Sequence, residues 1–403
     1  MTTVVVTLLL VVALAGHVIW WLGLTNRLHA TSLARQPMKL ITGLFNCALL
    51  AIPLLYLNHW LRGGAWLPDE FQRSSGFAIA QLFDGWNLYL LLAIAVAVAR
   101  GPVWISDRLG HRPPPVVMQH RIQSIDVAAR LGYWPIAGWR AHLFSHVPGN
   151  QIFRLNVDEE EIEIDRLPLA LAGLSILHLS DFHFSPRITR DYFDQVVEIA
   201  NRLQPDLIAV TGDICDVAAR IEWIGPIFGK LAAPLGKYFV LGNHDLRVKD
   251  VPRLRAALSA AGCVDLAAGP RTIEVRGQRV LLAGNERPWF PLADATTSAL
   301  GPGEPPAFKI LLAHSPDQFS WARQNDVDLV LAGHTHGGQV CLPGIGPVVC
   351  PSRHGIRYAE GTFFEPPTLM HVSRGVSNLF PLRLLCPPEM TKLVLHQAHG
   401  RRI

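Results

Sequence analysis

The sequence predicts an α/β domain that is preceded by a helical, membrane-spanning region. Half of the 403 residues are hydrophobic and only 17% are charged, and the apolar excess lies in the first hundred residues. After residue 174 the pattern changes to short apolar runs that alternate with amphipathic helical segments, which is typical of a sheet covered by helices. The formal net charge of +4 comes without any Lys/Arg block, so we expect no nucleic-acid partner.

Three apolar runs in the N-terminal quarter predict transmembrane helices at residues 4–24, 40–57 and 77–99, because about 20 apolar residues span the hydrocarbon core of a bilayer. No Lys or Arg precedes Arg27. A secretory signal begins with a basic region, so we expect the first helix to be retained in the protein. The chain is therefore predicted to be a multi-pass protein of the inner membrane.

The side of the membrane depends on the third run, which carries Gln81, Asp84 and Asn87 in its first half. If all three runs span, the segments that follow the first and third runs lie on the same side. These two segments are the richest in Arg and Lys, and the positive-inside rule then places the catalytic half in the cytoplasm. If the third run is only a buried or interfacial helix, the catalytic half faces outward.

Residues 101–170 are predicted to form an interfacial neck between the membrane region and the domain. Aromatic side chains lie there among arginines, which is a composition suited to the lipid headgroup layer: Trp104, Tyr133, Trp134 and Trp139. An ordinary additional subdomain is the alternative. Within the neck, the acidic stretch 158–165 alternates with apolar residues and predicts a half-exposed strand whose charges face solvent.

The predicted catalytic domain covers residues 171–403. Its short apolar runs indicate buried strands at residues 174–179, 207–210, 238–241, 310–313 and 329–331. Apolar residues at helical spacing predict helices at residues 187–203, 221–231 and 252–261. In such sheets the polar groups at the carboxyl ends of the strands form the site.

Each predicted strand ends in residues of metal-ligand type. In chain order these are Asp181-Phe182-His183, Gly212-Asp213 with Asp216, Gly242-Asn243-His244-Asp245, His314, and Gly333-His334-Thr335-His336. Residues two apart in an extended segment point to the same side, so each Asp-x-His or His-x-His pair can reach one cavity. One such piece alone is a weak signal, whereas five pieces at consecutive strand ends point to a metal site.

The ordered motifs resemble those of the calcineurin-like metallophosphoesterases, whose signature runs DxH, GDxxD, GNHD, a single His and GHxH. The resemblance covers residues 174–395, and GHTHGGQ at residues 333–339 is similar to the membrane-associated bacterial phosphodiesterase branch. That branch includes UDP-2,3-diacylglucosamine pyrophosphatase-type members. The resemblance implies a four-layer αββα sandwich with two divalent metal ions at the strand ends.

Carried over by motif, the resemblance implies that one metal is held by Asp181, His183, Asp213 and His336. It implies that the second is held by Asp213, Asn243, His314 and His334. His244 is expected to act as the general acid, oriented by Asp216, while Asn243 also holds phosphoryl oxygens. The ligand types include no thiolate, which suits Mn, Fe, Zn, Co or Ni.

The expected reaction is hydrolysis of a phosphodiester or pyrophosphate bond in a membrane lipid-linked substrate. The expected partners are membrane lipids and a phosphorylated lipid or nucleotide. One alternative is a soluble-nucleotide phosphodiesterase with a membrane anchor, and others are a phosphoprotein phosphatase and a non-catalytic metal-binding membrane protein. Arg374 is a candidate for contacting a phosphate or a headgroup, and the alternative for Arg374 is a structural arginine that bonds carbonyls of the C-terminal segment.

Overall fold

The computed structural model describes residues 2–61, 85–109, 114–300 and 308–398. The chain divides into two compact units, Met1–His111 and Arg112–Ile403, here called unit 1 and unit 2. The two units differ in where their apolar residues lie. Unit 1 is built from helices with apolar outer surfaces, and unit 2 is built from sheets whose apolar faces are buried.

Unit 1 contains three helices in the described residues: α1 (Thr2–His29), α2 (Arg35–Leu61) and α3 (Gly85–Leu109). Each is long and apolar enough to cross a membrane, over Val4–His29, Arg35–His59 and Gly85–Ser106. The three predicted spans therefore correspond to three helices. The third span was predicted to begin at residue 77, and residues 77–84 lie outside the described residues. Helix α3 continues past residue 99, and its apolar stretch extends to Ser106.

Small residues and a buried polar group join the helices of unit 1. A Cβ at Gly16 would overlap the backbone carbonyl of Ala93, so α1 and α3 approach closely where only glycine fits. His17 is buried, and its Nε2 lies 2.9 Å from the Leu49 carbonyl of α2. Trp21 donates a hydrogen bond to the Tyr89 hydroxyl at 3.1 Å. The interior of this bundle thus satisfies its polar groups, and its outer surface is apolar.

Unit 2 is built around two sheets. Its strands are β1 (Val117–Asp126), β2 (Arg154–Ile164), β3 (Ser175–Leu179), β4 (Leu207–Thr211), β5 (Lys237–Val240), β6 (Cys263–Asp265), β7 (Arg271–Val275), β8 (Gln278–Asn285), β9 (Phe308–Ala313), β10 (Leu329–Ala332), β11 (Cys341–Leu342), β12 (Gly346–Pro347), β13 (Gly361–Glu365), β14 (Thr368–Val372) and β15 (Glu389–Gln397). One sheet has the order β1-β2-β15-β3-β4-β5-β6 and the other β13-β14-β10-β9-β8-β7. Strands β11 and β12 form a separate hairpin.

Helices cover the outer faces of the two sheets. They are α4 (Val127–Leu131), α5 (Trp139–Ser145), α6 (Arg190–Arg202), α7 (Ile224–Phe228), α8 (Val251–Ala260), α9 (Asp294–Leu300) and α10 (Phe319–Gln324). One apolar core lies between the sheets, a second joins the first sheet to α6, α7 and α8, and a third joins the second sheet to α9 and α10. This is the expected four-layer arrangement, and the α/β fold class is confirmed.

The predicted strands at the site correspond to β3, β4, β5, β9 and β10, each displaced by at most two residues at either end. The helix predicted at 187–203 is α6, and the helix predicted at 252–261 is α8. The helix predicted at 221–231 is divided into a 3₁₀ turn, Ala218–Trp223, and α7. The β-strands of the site were predictable because they are buried on both faces and so appear as largely apolar runs.

The neck is the main difference between the sequence prediction and the structure. Strands β1 and β2 pair with each other, and β2 runs parallel to β15 from the far end of the chain. The folded unit therefore begins near residue 112 and not at residue 171, and β1, α4, α5 and β2 belong to it. The acidic stretch is a strand, as predicted, but Asp158 and Glu160 are buried because their side of the strand packs against β13 and the C-terminal segment.

Candidate metal centre

The candidate ligands lie where the two sheets of unit 2 meet. Strands β3, β4 and β5 are parallel, as are β9 and β10, so their carboxyl ends share one edge of the sandwich. The loops after these strands are tied together by backbone hydrogen bonds, including Asp181 N to the Gly212 carbonyl at 3.0 Å and Gly333 N to the His314 carbonyl at 2.9 Å. Distant stretches of the chain therefore converge at one point.

Asp181, His183 and His336 form the first cluster. Asp181 Oδ1 lies 3.4 Å from His336 Nε2 and 3.7 Å from His183 Nε2. One ligand atom from each residue falls within 4.8 Å of the others. Such a spacing lets the three side chains face a single cation.

Asp213, His314 and His334 form the second cluster. Asp213 Oδ1 lies 3.3 Å from His314 Nε2, and its other oxygen lies 3.7 Å from His183 Nε2. Asn243 Oδ1 lies 3.3 Å from His314 Nε2. Asp213 thus faces both clusters, one carboxylate oxygen toward each, which is the position expected for a bridging ligand.

His244 lies at the more open side of the centre. Its Nδ1 is 2.7 Å from Asp216 Oδ1, and Asp216 also bonds His183 Nδ1 through its other oxygen at 3.0 Å. The side chains of His244 and His336 are 15% and 14% exposed, whereas that of Asp181 is fully buried. A substrate can therefore reach the centre from the His244 side.

The backbone at the candidate ligands is unusual. Asp181, His183, Asp213, His334 and His336 all have φ between 50° and 74°, a left-handed conformation that side chains other than glycine rarely adopt. Such residues persist only where the surrounding structure holds them, and they cluster at functional sites.

Glycine is required beside these ligands because the loops pack against each other. A Cβ at Gly242 would overlap the Asp213 carboxylate and the His314 imidazole, and a Cβ at Gly333 would overlap Ser180 and Asp181. The glycines of the motifs therefore allow the loop backbone to approach the ligands.

Charges in the centre are strongly coupled. Burial lowers the pKa of His183, but Asp216, Asp181 and Asp213 outweigh it and raise that pKa to about 10. Burial also lowers the pKa of His314, but Asp213 outweighs it and raises that pKa to about 9. Burial raises the pKa of Asp213, yet His314 and His244 hold it well below its ordinary value. The carboxylates are ionised and need a positive charge close by.

The residues present fit divalent cations. Asp181 Oδ1 and His334 Nε2 are buried and have no hydrogen-bond partner among the described residues, which is costly unless another group satisfies them. The available donors are imidazole nitrogens, carboxylate oxygens and one amide oxygen, a set that suits Zn, Mn, Fe, Co or Ni. Asp181, His183, Asp213 and His336 would hold one ion, and Asp213, Asn243, His314 and His334 the other.

Three side chains at the centre were missed by sequence reasoning. Arg247 Nη1 bonds Asp216 Oδ1 at 2.9 Å, and Nη2 lies 2.8 Å from His244 Nε2. The ring of Trp289 packs against those of His314 and His334, with centroids 5.4 and 4.8 Å apart. Arg247 follows His244, the predicted general acid, by three residues, whereas Trp289 lies in a loop with no motif.

Arg383 is the third missed side chain, and it is fully buried. Its guanidinium donates to the carbonyls of His336 at 3.0 Å, Arg374 at 2.7 Å and Ser377 at 2.8 Å, and Nη2 lies 3.1 Å from His336 Nδ1. It therefore fixes both the backbone and the ring of a candidate ligand. The sequence gives no signal for this role beyond an arginine in the C-terminal segment.

The guanidinium of Arg374 is engaged by side chains inside unit 2. Its guanidinium contacts Glu389, Asp158 at 3.3 Å and Glu360 at 3.4 Å. Three carboxylates already surround this cation, so the geometry favours a structural role, although with carboxylates and not with the carbonyls expected from the sequence. The phosphate contact stays a prediction.

Comparison with known proteins places these features in context. The model of the calcineurin-like phosphoesterase family matches residues 174–338. The uncharacterized metallophosphoesterase YkuE of Bacillus subtilis is 33% identical over 254 residues, which are 60% of this chain and 85% of that protein. Phosphodiesterase YaeI of Escherichia coli is 30% identical, over 56% of this chain and 83% of that protein. A transmembrane protein with metallophosphoesterase domain from Bos taurus is 32% identical, over 59% of this chain and 56% of that protein.

Proposed function

Because the chain belongs to the calcineurin-like phosphoesterase family, we propose that it hydrolyses a phosphodiester or pyrophosphate bond in a lipid-linked substrate. Metal-dependent phosphoester hydrolysis is the activity that family membership indicates. The observation that supports a two-metal reaction is the position of Asp213, which faces both ligand clusters.

Each side chain of the centre has a role that its geometry supports. Two divalent cations, when bound, would act as Lewis acids that stabilise the phosphoryl group while it is transferred. Asn243 adds an amide donor for a non-bridging oxygen. His244 is the proposed general acid and would protonate the leaving oxygen through Nε2, since Asp216 orients its ring through Nδ1. Arg247 lies beside that Nε2 and would bind the same leaving group.

A lipid-linked substrate is supported by the apolar helices of unit 1, each long enough to span a bilayer. A phosphodiester bond is supported by the likeness to a protein named phosphodiesterase YaeI. Among lipid-linked substrates we favour a pyrophosphate of the UDP-2,3-diacylglucosamine type. The reason is that GHTHGGQ at residues 333–339 is similar to the membrane-associated bacterial phosphodiesterase branch, which includes pyrophosphatases of that type. The rival substrate is a soluble nucleotide, for which the membrane part is only an anchor.

We further propose that the catalytic unit faces the cytoplasm from the inner membrane, on the basis of the arginines and lysines after α1 and around residues 100–140. Membrane vesicles of known orientation test this. A substrate that cannot cross the bilayer should be hydrolysed by inside-out vesicles, and hydrolysis only by right-side-out vesicles would place the unit on the other side.

The reaction is tested with the purified full chain in nanodiscs, reconstituted with Mn²⁺. The panel contains a lipid-linked pyrophosphate, a lipid phosphodiester, a cyclic nucleotide and bis-p-nitrophenyl phosphate. We expect Asp213→Asn to lose bound metal and turnover together, whereas Asp165→Asn, at an exposed position of unit 2, should retain both. Two tightly bound ions with full turnover in Asp213→Asn would refute the bridging role. Turnover of the nucleotide alone would exclude the lipid-linked substrate.

A further inference from the structure

Unit 2 exposes large apolar side chains beside the metal centre. Trp139, Leu143 and Phe144 project from α5, and they are 72%, 65% and 37% exposed. Leu342, Phe380 and Leu385, from two other segments, are 45%, 47% and 58% exposed. We call these six side chains the apolar face.

The three segments of the apolar face are neighbours in space. The rings of Phe144 and Phe380 meet edge to face with centroids 6.0 Å apart. Asn150, just after α5, forms a β-bridge with Leu384, and Cys341 N donates to the Leu384 carbonyl at 2.9 Å. Backbone hydrogen bonds thus hold the three segments together, and the exposed side chains lie on neighbouring segments.

Such a surface is unfavourable in water. Burying a side chain of the size of Leu or Phe contributes about 1.5–3 kcal/mol, and soluble proteins rarely expose large contiguous apolar patches without a partner. Trp and Phe are also the residues that insert at the boundary between headgroups and acyl chains. The composition of the face therefore favours a lipid surface over bulk solvent.

Charge identifies the kind of lipid. Residues 139–150, 340–350 and 376–386 contain no Asp or Glu. Arg140 lies 5.2 Å from the ring of Trp139, and Arg187 lies 4.6 Å from the ring of Phe380. An apolar surface edged by arginines and free of acidic residues is complementary to anionic headgroups.

The face is connected directly to the metal centre. Leu384 N donates to the Gln339 carbonyl at 3.1 Å, and Arg383 beside it holds the ligand His336. Leu342 follows Gln339 by three residues. A lipid surface in contact with the face would thus lie next to the loop that carries His334 and His336.

We propose that the apolar face docks unit 2 onto an anionic lipid surface. The same chain supplies helices long enough to span a bilayer, so such a surface is close to unit 2 by chain connectivity. The docking stands independently of the substrate, because it is carried by exposed apolar area and charge and not by the chemistry of the centre.

The test uses the full chain, one copy per nanodisc, with Cys47→Ser to remove the exposed cysteine; the other five cysteines are buried. Leu143→Cys carries an environment-sensitive thiol probe on the face. Leu169→Cys is the matched control, since Leu169 is an apolar side chain of unit 2, 68% exposed, that precedes β3 and so lies at the opposite end of the strands from the centre. Turnover of a soluble aryl phosphodiester shows that both labelled proteins are folded.

We expect spin-labelled lipids to quench the probe at position 143 and to leave the probe at position 169 unquenched. Quenching at 143 should be stronger in nanodiscs that contain phosphatidylglycerol than in pure phosphatidylcholine, and Arg140→Glu should reduce it. Equal quenching at the two positions would overturn the docking. Equal quenching in neutral and anionic lipid would overturn the proposal that the lipid surface is anionic. If the probe at position 143 is shielded from solvent only in concentrated detergent, where chains can pair, the face binds a second copy of the chain and not a lipid surface.

Discussion

Replacing Arg374 with Met separates a structural arginine from one that binds substrate. The side chain is 13% exposed, and it is surrounded by Asp158, Glu360 and Glu389 at distances of 3.4 Å or less. Asp158 and Glu389 are almost fully buried. Methionine keeps most of the volume but removes the one cation that, among the described residues, contacts all three carboxylates.

The expected loss follows from this burial. Removing one partner of a buried ion pair costs about 3–5 kcal/mol, because the remaining charge is left uncompensated. His120 Nε2, 3.5 Å from Asp158 Oδ2, compensates part of this charge and favours the lower end of the range. At about 2–4 °C for each kcal/mol in a domain of about 150–250 residues, a loss of about 3 kcal/mol should lower the midpoint of thermal unfolding of unit 2 by about 6–12 °C.

The loss should depend on pH. Burial raises the pKa of Asp158, and Glu389 raises it further while His120 and Arg374 lower it, so the loss of Arg374 pushes the pKa upward again. A carboxyl whose folded pKa is above its unfolded value stabilises the fold when protonated, and this contribution is lost as the pH rises through the folded pKa. The Arg374→Met penalty should therefore be largest at neutral pH and shrink as the pH falls toward 5.

The assay is thermal unfolding of the full chain at pH 7.5 and 5.5, together with KM for bis-p-nitrophenyl phosphate. Arg253→Met, at an exposed position on α8, is the control and should change neither. An unfolding midpoint that stays at the wild-type value while KM rises would refute the structural assignment and restore the phosphate contact.

Three further predictions concern the centre. His244→Asn should keep metal and lose about 10²–10⁴-fold in rate on poor leaving groups, with a smaller loss on aryl esters; equal losses would contradict the general-acid role. Arg383→Lys should weaken metal binding by about 10–100-fold, which is the usual effect of losing a group that orients a metal ligand. The reason is that one amine cannot replace the two guanidinium contacts with His336. An unchanged affinity in a metal titration would refute this. In the metal-free chain the pKa values of His183 and His314 are about 10 and about 9, so both rings are protonated at pH 7. Metal binding should therefore release protons, and the metal affinity should rise by about tenfold per pH unit for each proton released. A metal affinity that does not change between pH 6 and 8 in calorimetry would exclude this linkage.

The parts of the fold that the sequence predicted are those set by local pattern. β3, β4 and β10 are largely apolar runs followed closely by polar ligands, so both the strand and the residues at its end could be predicted along the chain. β1 and β2 could not be assigned to the sheet, because β2 is held by β15, more than 200 residues away. Arg383 illustrates the same limit at the site: its four acceptors belong to three residues, His336, Arg374 and Ser377, and nothing in its own neighbourhood specifies the contact with His336.

The departures from local rules explain why the centre is where it is. Elsewhere in unit 2 most strands are apolar and buried between layers, and left-handed residues such as Gln204, Arg276 and Asp326 lie in turns. At the ends of β3, β4 and β10, by contrast, Asp181, Asp213 and His334 combine burial with a left-handed backbone, and each of these features alone is destabilising. Natural sequences keep such conflicts where function requires them. Cations between the carboxylates would neutralise the buried charge and occupy the unsatisfied ligand atoms, so the same binding that supports catalysis also resolves the strain and charge that the fold concentrates at this edge.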